Sequence, residues 1–254
     1  MKYGAIYPSL KGRTVLVTGG GSGIGESIVT HFAAQGAKVG FIDIMAKESK
    51  ALAAKLKRKG QKVHFEHCDL ADIDALQRAV KAVRKVFGPI TVLVNNAAHD
   101  ERHGLDEITS DYFDDRVRVN LKHQIFTIQA VADDMKKAKN GSIINMGSIS
   151  WMVSASDLPV YEACKAGILG LTRGLSRELG AHNIRINSIA PGWIMTKRQK
   201  DLWVTPEALE QLMKDQCLPR TLDPADIARM VVFYASDEAS AVTNQNIIVD
   251  GGWV

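Results

Sequence analysis

Short runs of apolar and β-branched residues alternate along this chain with amphipathic stretches of helical length. The strand-like runs are Arg13–Thr18, Lys38–Asp43, Lys62–Cys68, Thr91–Asn95, Gly141–Met146, Ile184–Ile189 and Asn246–Val249. Strands separated by helices need crossover connections, which make neighbouring strands parallel and cover both faces of the sheet. The alternation therefore predicts an α/β fold with a seven-stranded parallel sheet flanked by helices on both faces.

The chain is predicted to form one domain. Helices are predicted at about 24–35, 47–59, 72–87, 110–137, 160–179 and 224–235, and no linker, repeat or low-complexity segment separates them. A length of 254 residues fits one large α/β domain. We therefore expect a single-domain Rossmann fold over residues 1–254. Residues 193–222 interrupt the alternation of strands and helices and follow the carboxyl end of a strand. We predict that they form a substrate lid, which contains a short helix that begins at Pro206.

Composition narrows the class of protein. The chain is 46% hydrophobic and 24% charged, with a net charge of +4 and three cysteines at no repeated spacing. The basic excess between Lys47 and Lys62 fits a solvated helix face and contains no aromatic residues, so nucleic-acid binding is not indicated. No run reaches the roughly 18 apolar residues of a membrane span, and the first residues do not resemble a signal peptide. We expect a soluble cytoplasmic protein that binds neither membrane nor nucleic acid.

A glycine-rich turn follows the first predicted strand and opens the first predicted helix. Residues 18–25 read TGGGSGIG. Gly19 allows a tight turn, whereas Gly23 and Gly25 let the backbone approach a pyrophosphate and pack the helix against the strand. The helix N-terminus offers free N–H groups and a positive dipole end. This turn predicts a dinucleotide site that also includes Ser22 and Ile24.

Asp43 ends the second predicted strand, 18 residues after Gly25. A carboxylate at this place accepts hydrogen bonds from both hydroxyls of an adenosine ribose, and capping of the next helix is the alternative. It would repel a 2′-phosphate, and neither residues 20–22 nor Ile44 and Met45 supply a compensating cation. The pattern therefore predicts NAD rather than NADP as the cofactor.

Further cofactor contacts are expected after the third and fourth strands. Asp69 is a candidate for the adenine edge, with Leu70 beside it, and a helix cap is an equally good interpretation of Asp69. Asn95 and Asn96 follow the fourth strand, and we expect them to orient backbone on the cofactor side. We therefore place Asp69, Leu70 and Asn96 in the cofactor site.

Tyr161 and Lys165 are four residues apart on a predicted helix, so their side chains share one face. A phenol with a pKa of about 10 is a poor base at neutral pH, but a neighbouring ammonium and a positive nicotinamide ring favour the phenolate and lower its pKa. Such a group suits alcohol oxidation, in which a proton leaves oxygen as hydride leaves carbon. Ser148 can orient the reacting oxygen, and Asn120 can hold a water that links Lys165 to solvent.

In these features the chain resembles the short-chain dehydrogenase/reductase family over its full length. The matching features are TGGGSGIG at 18–25, Asp43, Asp69, NNAA at 95–98, Asn120, Ser148, YEACK at 161–165 and PG at 191–192. Two positions depart from the family pattern: Ala98 stands where glycine is usual, and Cys164 where serine or alanine is usual. Both residues are small, so we expect local adjustment rather than lost activity.

The resemblance implies roles for these residues. It implies a catalytic tetrad of Asn120, Ser148, Tyr161 and Lys165, with Tyr161 and Lys165 also contacting the cofactor and Lys165 holding the nicotinamide ribose. It implies that residues 191–196 contact the carboxamide, through Pro191, Gly192, Ile194 and Thr196. It also implies assembly into a homotetramer.

Within the family, the chain is most similar to bacterial aldose 1-dehydrogenases that act on D-xylose and L-arabinose. The shared stretches are AIYPSLKG near the start, DERH at 100–103, GSISW at 147–151, TKRQ at 196–199, and TPE and QCL further on. The predicted substrate residues are Ser148, Ser150, Trp151, Tyr161, Trp193 and Gln199. Asp100, Arg102 and His103 are further candidates to bind hydroxyls, and Trp203 to stack on a pyranose, although core packing is the alternative for each tryptophan.

The resemblance predicts NAD-dependent oxidation of a pentose at its anomeric hydroxyl to the lactone, with Tyr161 as the base. One alternative is another secondary alcohol, such as a sugar acid or a hydroxysteroid, and another is a Rossmann-fold protein that binds without catalysis. No metal is predicted: His64 and Cys68 share one strand face and His67 lies on the other, so a common site is not expected.

Overall fold

A computed structural model describes residues 4–254, so the first three residues of the predicted domain lie outside the described range. All strand pairs in this range are parallel, and the seven strands lie in the order β3-β2-β1-β4-β5-β6-β7. The strands are β1 Thr14–Thr18, β2 Lys38–Asp43, β3 Lys62–His67, β4 Val92–Asn95, β5 Gly141–Met146, β6 Ile184–Pro191 and β7 Asn246–Val249. The predicted seven-stranded parallel sheet is confirmed.

The helices of the described residues fill the connections between strands. They are α1 Gly23–Ala34, α2 Ala46–Lys57, α3 Ile73–Phe87, α4 Ser110–Val117, α5 His123–Ala138, α6 Pro159–Gly180, α7 Lys197–Leu202, α8 Pro206–Asp215 and α9 Pro224–Ala235. The short helix predicted to begin at Pro206 is α8, whereas α7 was not predicted. None of these helices is both long enough and apolar enough to cross a membrane.

The tract predicted as one helix over 110–137 is interrupted. A π-helical turn, Arg118–Lys122, joins α4 to α5. Such turns widen a helix by one residue and are frequent at functional sites. The apolar periodicity on either side is unaffected by this local widening, which explains why the pattern predicted one continuous helix.

The sheet buries both of its faces. Val15 and Val17 of β1 pack in one cluster with Phe32 of α1 and Val231 of α9. Leu16, between the two valines, packs in a second cluster with residues of α3 and α5 on the opposite face. Because successive strand residues point to opposite faces, a strand covered on both sides must be apolar throughout. The two helical layers therefore hold the strand ends in fixed register.

The strand order reverses between β1 and β4. From β1 the chain builds outward through β2 and β3, and from β4 it builds in the other direction through β5, β6 and β7. The loops that follow β1 and β4 therefore diverge at the carboxyl edge of the sheet and leave a crevice. In open α/β sheets this is where ligands bind.

Gly40 lets β2 and α3 approach each other closely. A Cβ atom at this position would lie 2.2 Å from Cγ1 of the fully buried Val83. We expect Gly40→Ala to lower the free energy of unfolding by about 1–3 kcal/mol, because the core must be overpacked. The measurement is urea denaturation.

Gly170→Ala is the matched control. No atom lies within 4 Å of a Cβ built at Gly170, which is exposed on α6. It should raise the stability by roughly 0.5–1 kcal/mol, because alanine favours helix. Equal effects of the two substitutions would contradict this description of the packing.

Candidate active site

The glycine turn between β1 and α1 is held by backbone and side-chain contacts. Gly19 and Gly23 have positive φ angles of 63° and 55°. A Cβ at Gly25 would lie 1.8 Å from the carbonyl oxygen of Gly19, so no side chain fits there. Asn96 Nδ2 donates to the carbonyl oxygens of Thr18 at 3.0 Å and Gly19 at 2.9 Å. Asn96 therefore orients the turn, as its position after β4 predicted.

The N-terminus of α1 faces this turn without a side-chain cap. Ser22 occupies the capping position and makes no capping hydrogen bond. A Cβ at Gly23 would lie 3.2 Å from Cγ2 of Thr196, so the loop after β6 approaches the start of α1. Uncapped N–H groups and a positive dipole end suit a phosphate group. The predicted residues at 19–25 and Thr196 thus meet at one place.

Asp43 is buried at the end of β2 and contacts the glycine turn directly. Its Oδ2 accepts a hydrogen bond from the Gly21 amide at 2.7 Å, and its Oδ1 accepts one from the Met45 amide at 2.8 Å. The N-cap position of α2 is Met45, so the alternative interpretation of Asp43 as a helix cap is wrong. The carboxylate is therefore fixed beside the turn by both of its oxygens.

The residues that follow β3 differ in their contacts: one caps a helix, one is exposed and one packs in the core. Asp72 caps α3 by accepting from the Ala75 amide, so the alternative interpretation of Asp69 as the helix cap is wrong. Asp69 is exposed and accepts from the Ala71 amide at 2.9 Å, while Leu70 packs in the core.

Asn95 is fully buried and donates to Oδ1 of Asn145 on β5 at 3.0 Å. Its Nδ2 also lies 3.4 Å from the Gln124 carbonyl oxygen, so Asn95 links β4 to β5 and α5, and its expected role on the cofactor side stays a prediction.

Asn120 lies within the π-helical turn and is fully buried. Its Oδ1 accepts from the His99 amide at 2.8 Å, and its Nδ2 donates to the His99 carbonyl oxygen at 3.2 Å. The widened turn thus lets one side chain hold the loop after β4 by both backbone groups. We expected Asn120 to hold a water, and its role in the described structure is to fix this loop.

Tyr161 and Lys165 project from α6 beside the end of β5. Lys165 is 2% exposed, and its Nζ donates to the Met146 carbonyl oxygen at 2.8 Å. The same Nζ lies 5.3 Å from the centre of the Tyr161 ring. Ser148 Oγ accepts from the Ser150 amide at 3.1 Å. The phenol, the amine and the serine hydroxyl therefore meet at the carboxyl edge of the sheet.

Burial controls the protonation of this pair. It raises the pKa of Tyr161, the Asp100 carboxylate raises it further, and a hydrogen bond with Ser148 opposes both. We expected Lys165 and the nicotinamide ring together to lower the pKa of the phenol. In the protein alone burial outweighs the opposing groups and the net shift is upward, so the expected lowering stays a prediction for the complex with cofactor. Burial also lowers the pKa of Lys165 to about 8, with the Asp100 charge opposing the shift.

A buried histidine that no sequence pattern singled out lies close to the lysine. His123 is fully buried, and its Nε2 donates to the Ala97 carbonyl oxygen at 3.2 Å. Burial, followed by the charge of Lys165, lowers the pKa of His123 to about 4. His123 is therefore neutral at physiological pH and adds no charge beside Lys165.

The predicted substrate residues separate into two groups. Ser150 is buried with a hydroxyl that has no partner among the described residues, and Trp151 is partly buried after β5. Trp193 and Gln199, in contrast, bind each other: Trp193 Nε1 donates to Gln199 Oε1 at 2.8 Å. Gln199 therefore does not present a free amide to a ligand.

The further candidates in the loop after β4 contact protein rather than open space. Asp100 accepts hydrogen bonds from Arg198 and Gln199, and the Arg102 guanidinium lies 4.3 Å from the centre of the Trp203 ring. His103 is buried against Tyr112, whose hydroxyl lies 2.8 Å from the histidine Nδ1. The polar groups of Asp100 and His103 are thus already paired within the protein and are not free for substrate hydroxyls, whereas the exposed Arg102 contacts only a ring face and stays a predicted substrate residue.

His64 contacts a carboxylate on its own strand. Its Nε2 lies 2.5 Å from Oε1 of Glu66. Within residues 4–254, no group of three or more histidine, cysteine or acidic side chains is arranged to hold a metal ion.

The burial of Lys165 predicts a specific pH dependence of stability. Its pKa of about 8, against 10.5 in the unfolded chain, makes the charged amine unfavourable in the folded protein below about pH 8. This cost disappears as the pH rises from about 8 to 10.5, because the unfolded chain then binds more protons than the folded chain. The stability advantage of Lys165→Met over the wild type should therefore shrink by roughly 2–3 kcal/mol between pH 7 and pH 10.5.

Urea unfolding across this pH range measures the difference, and Lys137→Met is the control, since Lys137 is exposed at the end of α5. The control should show no such pH-dependent difference. A constant offset for Lys165→Met would contradict the lowered pKa.

Comparisons with known proteins agree with this geometry. The family model described as enoyl-(acyl carrier protein) reductase matches residues 19–254. D-xylose 1-dehydrogenase of Caulobacter vibrioides is 47% identical over 249 residues, which cover 98% of both chains. A Rhizobium meliloti protein named "Probable galactose dehydrogenase" is 44% identical and covers 97% of this chain and 96% of its own.

The structure of a short-chain type dehydrogenase/reductase from Mycobacterium ulcerans superposes with a TM-score of 0.91 at 30% identity, over 96% of this chain and 90% of that one. Dehydrogenases of this kind use nicotinamide cofactors, the ligand class that the glycine turn and Asp43 fit. The fold, the site and these relatives together show that the chain belongs to the short-chain dehydrogenase/reductase family.

Proposed function

We propose that this protein is an NAD-dependent aldose 1-dehydrogenase, which oxidises a pentose such as D-xylose or L-arabinose at the anomeric hydroxyl and yields the lactone. One observation carries the reaction class: Lys165 Nζ lies 5.3 Å from the centre of the Tyr161 ring on α6, and Ser148 forms a hydrogen bond with the Tyr161 side chain. The substrate class is supported by the relatives that are named for xylose and galactose.

The cofactor is bound by groups already fixed in the crevice. The glycine turn and the uncapped N-terminus of α1 hold the pyrophosphate, and Asp43 holds the adenosine ribose. The negative charge of Asp43 favours NAD over NADP, because residues 20–22, Ile44 and Met45 include no cation. Asp69, Asn96 and the segment 191–196 complete the proposed site, and Leu70 supports it from the core. When bound, oxidised NAD supplies the carbon that accepts hydride and a positively charged ring beside the phenol.

Tyr161 is the proposed base. Its phenolate oxygen takes the proton of the anomeric hydroxyl, while Ser148 donates a hydrogen bond to the same sugar oxygen and orients it. Because burial raises the pKa of Tyr161, positive charge at the crevice is needed to favour the phenolate. Lys165 supplies one such charge.

Apolar and polar groups share the proposed sugar pocket. The unpartnered hydroxyl of buried Ser150 can bind one sugar hydroxyl. Trp151 and Trp193 offer ring faces on which a pyranose can stack. The segment 193–222, which contains α7 and α8, is the proposed lid over this pocket. The single-domain organisation, the homotetramer and the cytoplasmic location stay predictions.

An activity screen tests the proposal. Purified protein is incubated with NAD or NADP and with D-xylose, L-arabinose, D-galactose or L-fucose, and the reduced cofactor and the lactone are both measured. We expect turnover with at least one aldose, formation of its lactone, and higher kcat/KM with NAD. Absence of turnover with every aldose would contradict the sugar assignment, and turnover of a sugar acid or hydroxysteroid in its place would support the alternative.

Tyr161→Phe isolates the proton-transfer step. The substitution removes only the hydroxyl, so we expect kcat to fall by roughly 10²–10⁴-fold while NAD binding, followed by fluorescence titration, stays within about twofold. Tyr234→Phe is the control and should keep full activity, because Tyr234 is a partly buried residue of α9 that packs against the core. Near-normal turnover of Tyr161→Phe would refute the assignment of the base.

A further inference from the structure

Two segments far apart in sequence meet over the active-site crevice. One is the loop 99–103 after β4, and the other is the segment 193–203, which includes α7. Asp100 uses both carboxylate oxygens on this second segment: Oδ1 accepts from Arg198 Nε at 3.0 Å and Oδ2 accepts from Gln199 Nε2 at 2.5 Å. The guanidinium of Arg102 also lies 4.3 Å from the centre of the Trp203 ring.

The amide of Gln199 has only one orientation that satisfies both neighbours. The indole N–H of Trp193 can only donate, and the carboxylate of Asp100 can only accept. The amide oxygen must therefore face Trp193, at 2.8 Å from Nε1, and the amide nitrogen must face Asp100. The negative charge of Asp100 thus determines which way the amide points and where the indole ring of Trp193 is held.

The loop that carries Asp100 is anchored on its other side to the catalytic elements. Asn120 holds both backbone groups of His99. His103 is buried, its amide donates to the Asp157 carbonyl oxygen at 2.8 Å, and its Nε2 accepts from the Val160 amide at 3.4 Å at the start of α6. Asp100 therefore projects from a fixed loop toward the segment 193–203.

We propose that Asp100 is a positioning residue, which holds the segment 193–203 closed through Gln199 and thereby fixes Trp193 as an apolar stacking face for the sugar ring. The proposal rests on the aldose dehydrogenase function. Because the indole N–H is already bonded to Gln199, Trp193 has no free donor for a sugar hydroxyl and can present only its ring. Asp100 is also near enough to the catalytic pair for its charge to raise the pKa of both Tyr161 and Lys165.

Exchanging the amide and the carboxylate tests this arrangement. In Gln199→Glu, two carboxylates face each other, so the segment should open and KM for the sugar should rise on the order of tenfold. A double variant combines Gln199→Glu with Asp100→Asn. Its new amide at position 100 can donate to the new carboxylate at position 199, which still accepts from Trp193. We expect the double variant to return KM to within about threefold of the wild type.

The affinity for NAD distinguishes a positioning role of Asp100 from a general disruption of the fold. It should weaken by a smaller factor than the sugar KM rises in each variant, because the glycine turn and Asp43 are untouched and only residues 193–196 of the proposed cofactor site lie in the segment that opens. Asp106→Asn, which removes an exposed carboxylate in the 3₁₀ turn Leu105–Glu107, is the matched control and should leave KM unchanged. An unchanged sugar KM in Gln199→Glu, or a double variant no better than the single one, would overturn the proposal.

A second measurement needs no sugar and separates this proposal from the proposed function. The indole Nε1–H resonance of Trp193, assigned by its loss in Trp193→Phe, should exchange slowly with solvent in the wild type and in the double variant, and fast in Gln199→Glu. Fast exchange in the wild type would overturn the proposal whatever the substrate is. Slow exchange without turnover of any aldose would sustain the positioning role and refute the sugar assignment alone.

Discussion

The reversal of strand order between β1 and β4 is the constraint on which the active site depends. It forces the loops after these two strands apart and opens a crevice at the carboxyl edge of the sheet. The glycine turn after β1 and the loop after β4 then line opposite sides of the crevice. Asn96 joins the two sides by holding the carbonyl oxygens of Thr18 and Gly19. A rigid sheet thus determines where cofactor and substrate can meet.

The protonation of Tyr161 and Lys165 depends on their burial as much as on their spacing along α6. Lys165 is held by a backbone carbonyl oxygen at the end of β5, and His123 beside it is neutral. Burial drives the pKa of Tyr161 up and that of Lys165 down, so both groups move toward their uncharged forms. At neutral pH the pair is therefore an uncharged phenol beside an amine that is still mostly protonated, and further positive charge at the crevice favours the phenolate. This behaviour suits a group that must take up a proton in one step and release it later.

Short sequence patterns predicted the features that depend on residues close together in the chain. The sheet, the glycine turn and the one-face spacing of Tyr161 and Lys165 each follow from periodicity or spacing within a short stretch of sequence. The π-helical turn around Asn120 was missed because it leaves the apolar pattern unchanged. The bond between Asp100 and Gln199 was missed because its partners are 99 residues apart. The upward shift in the pKa of Tyr161 was missed because the extent of burial is a property of the folded packing.

The central claim is that hydride leaves the anomeric carbon of an aldose while Tyr161 takes the proton of its hydroxyl. The most direct test uses D-xylose that carries deuterium at the anomeric carbon, with NAD as the acceptor. The account predicts that the deuterium is recovered in the reduced nicotinamide and that the label slows the hydride-transfer step in single-turnover measurements. Recovery of the deuterium in the sugar product, with unlabelled reduced cofactor, would contradict the account.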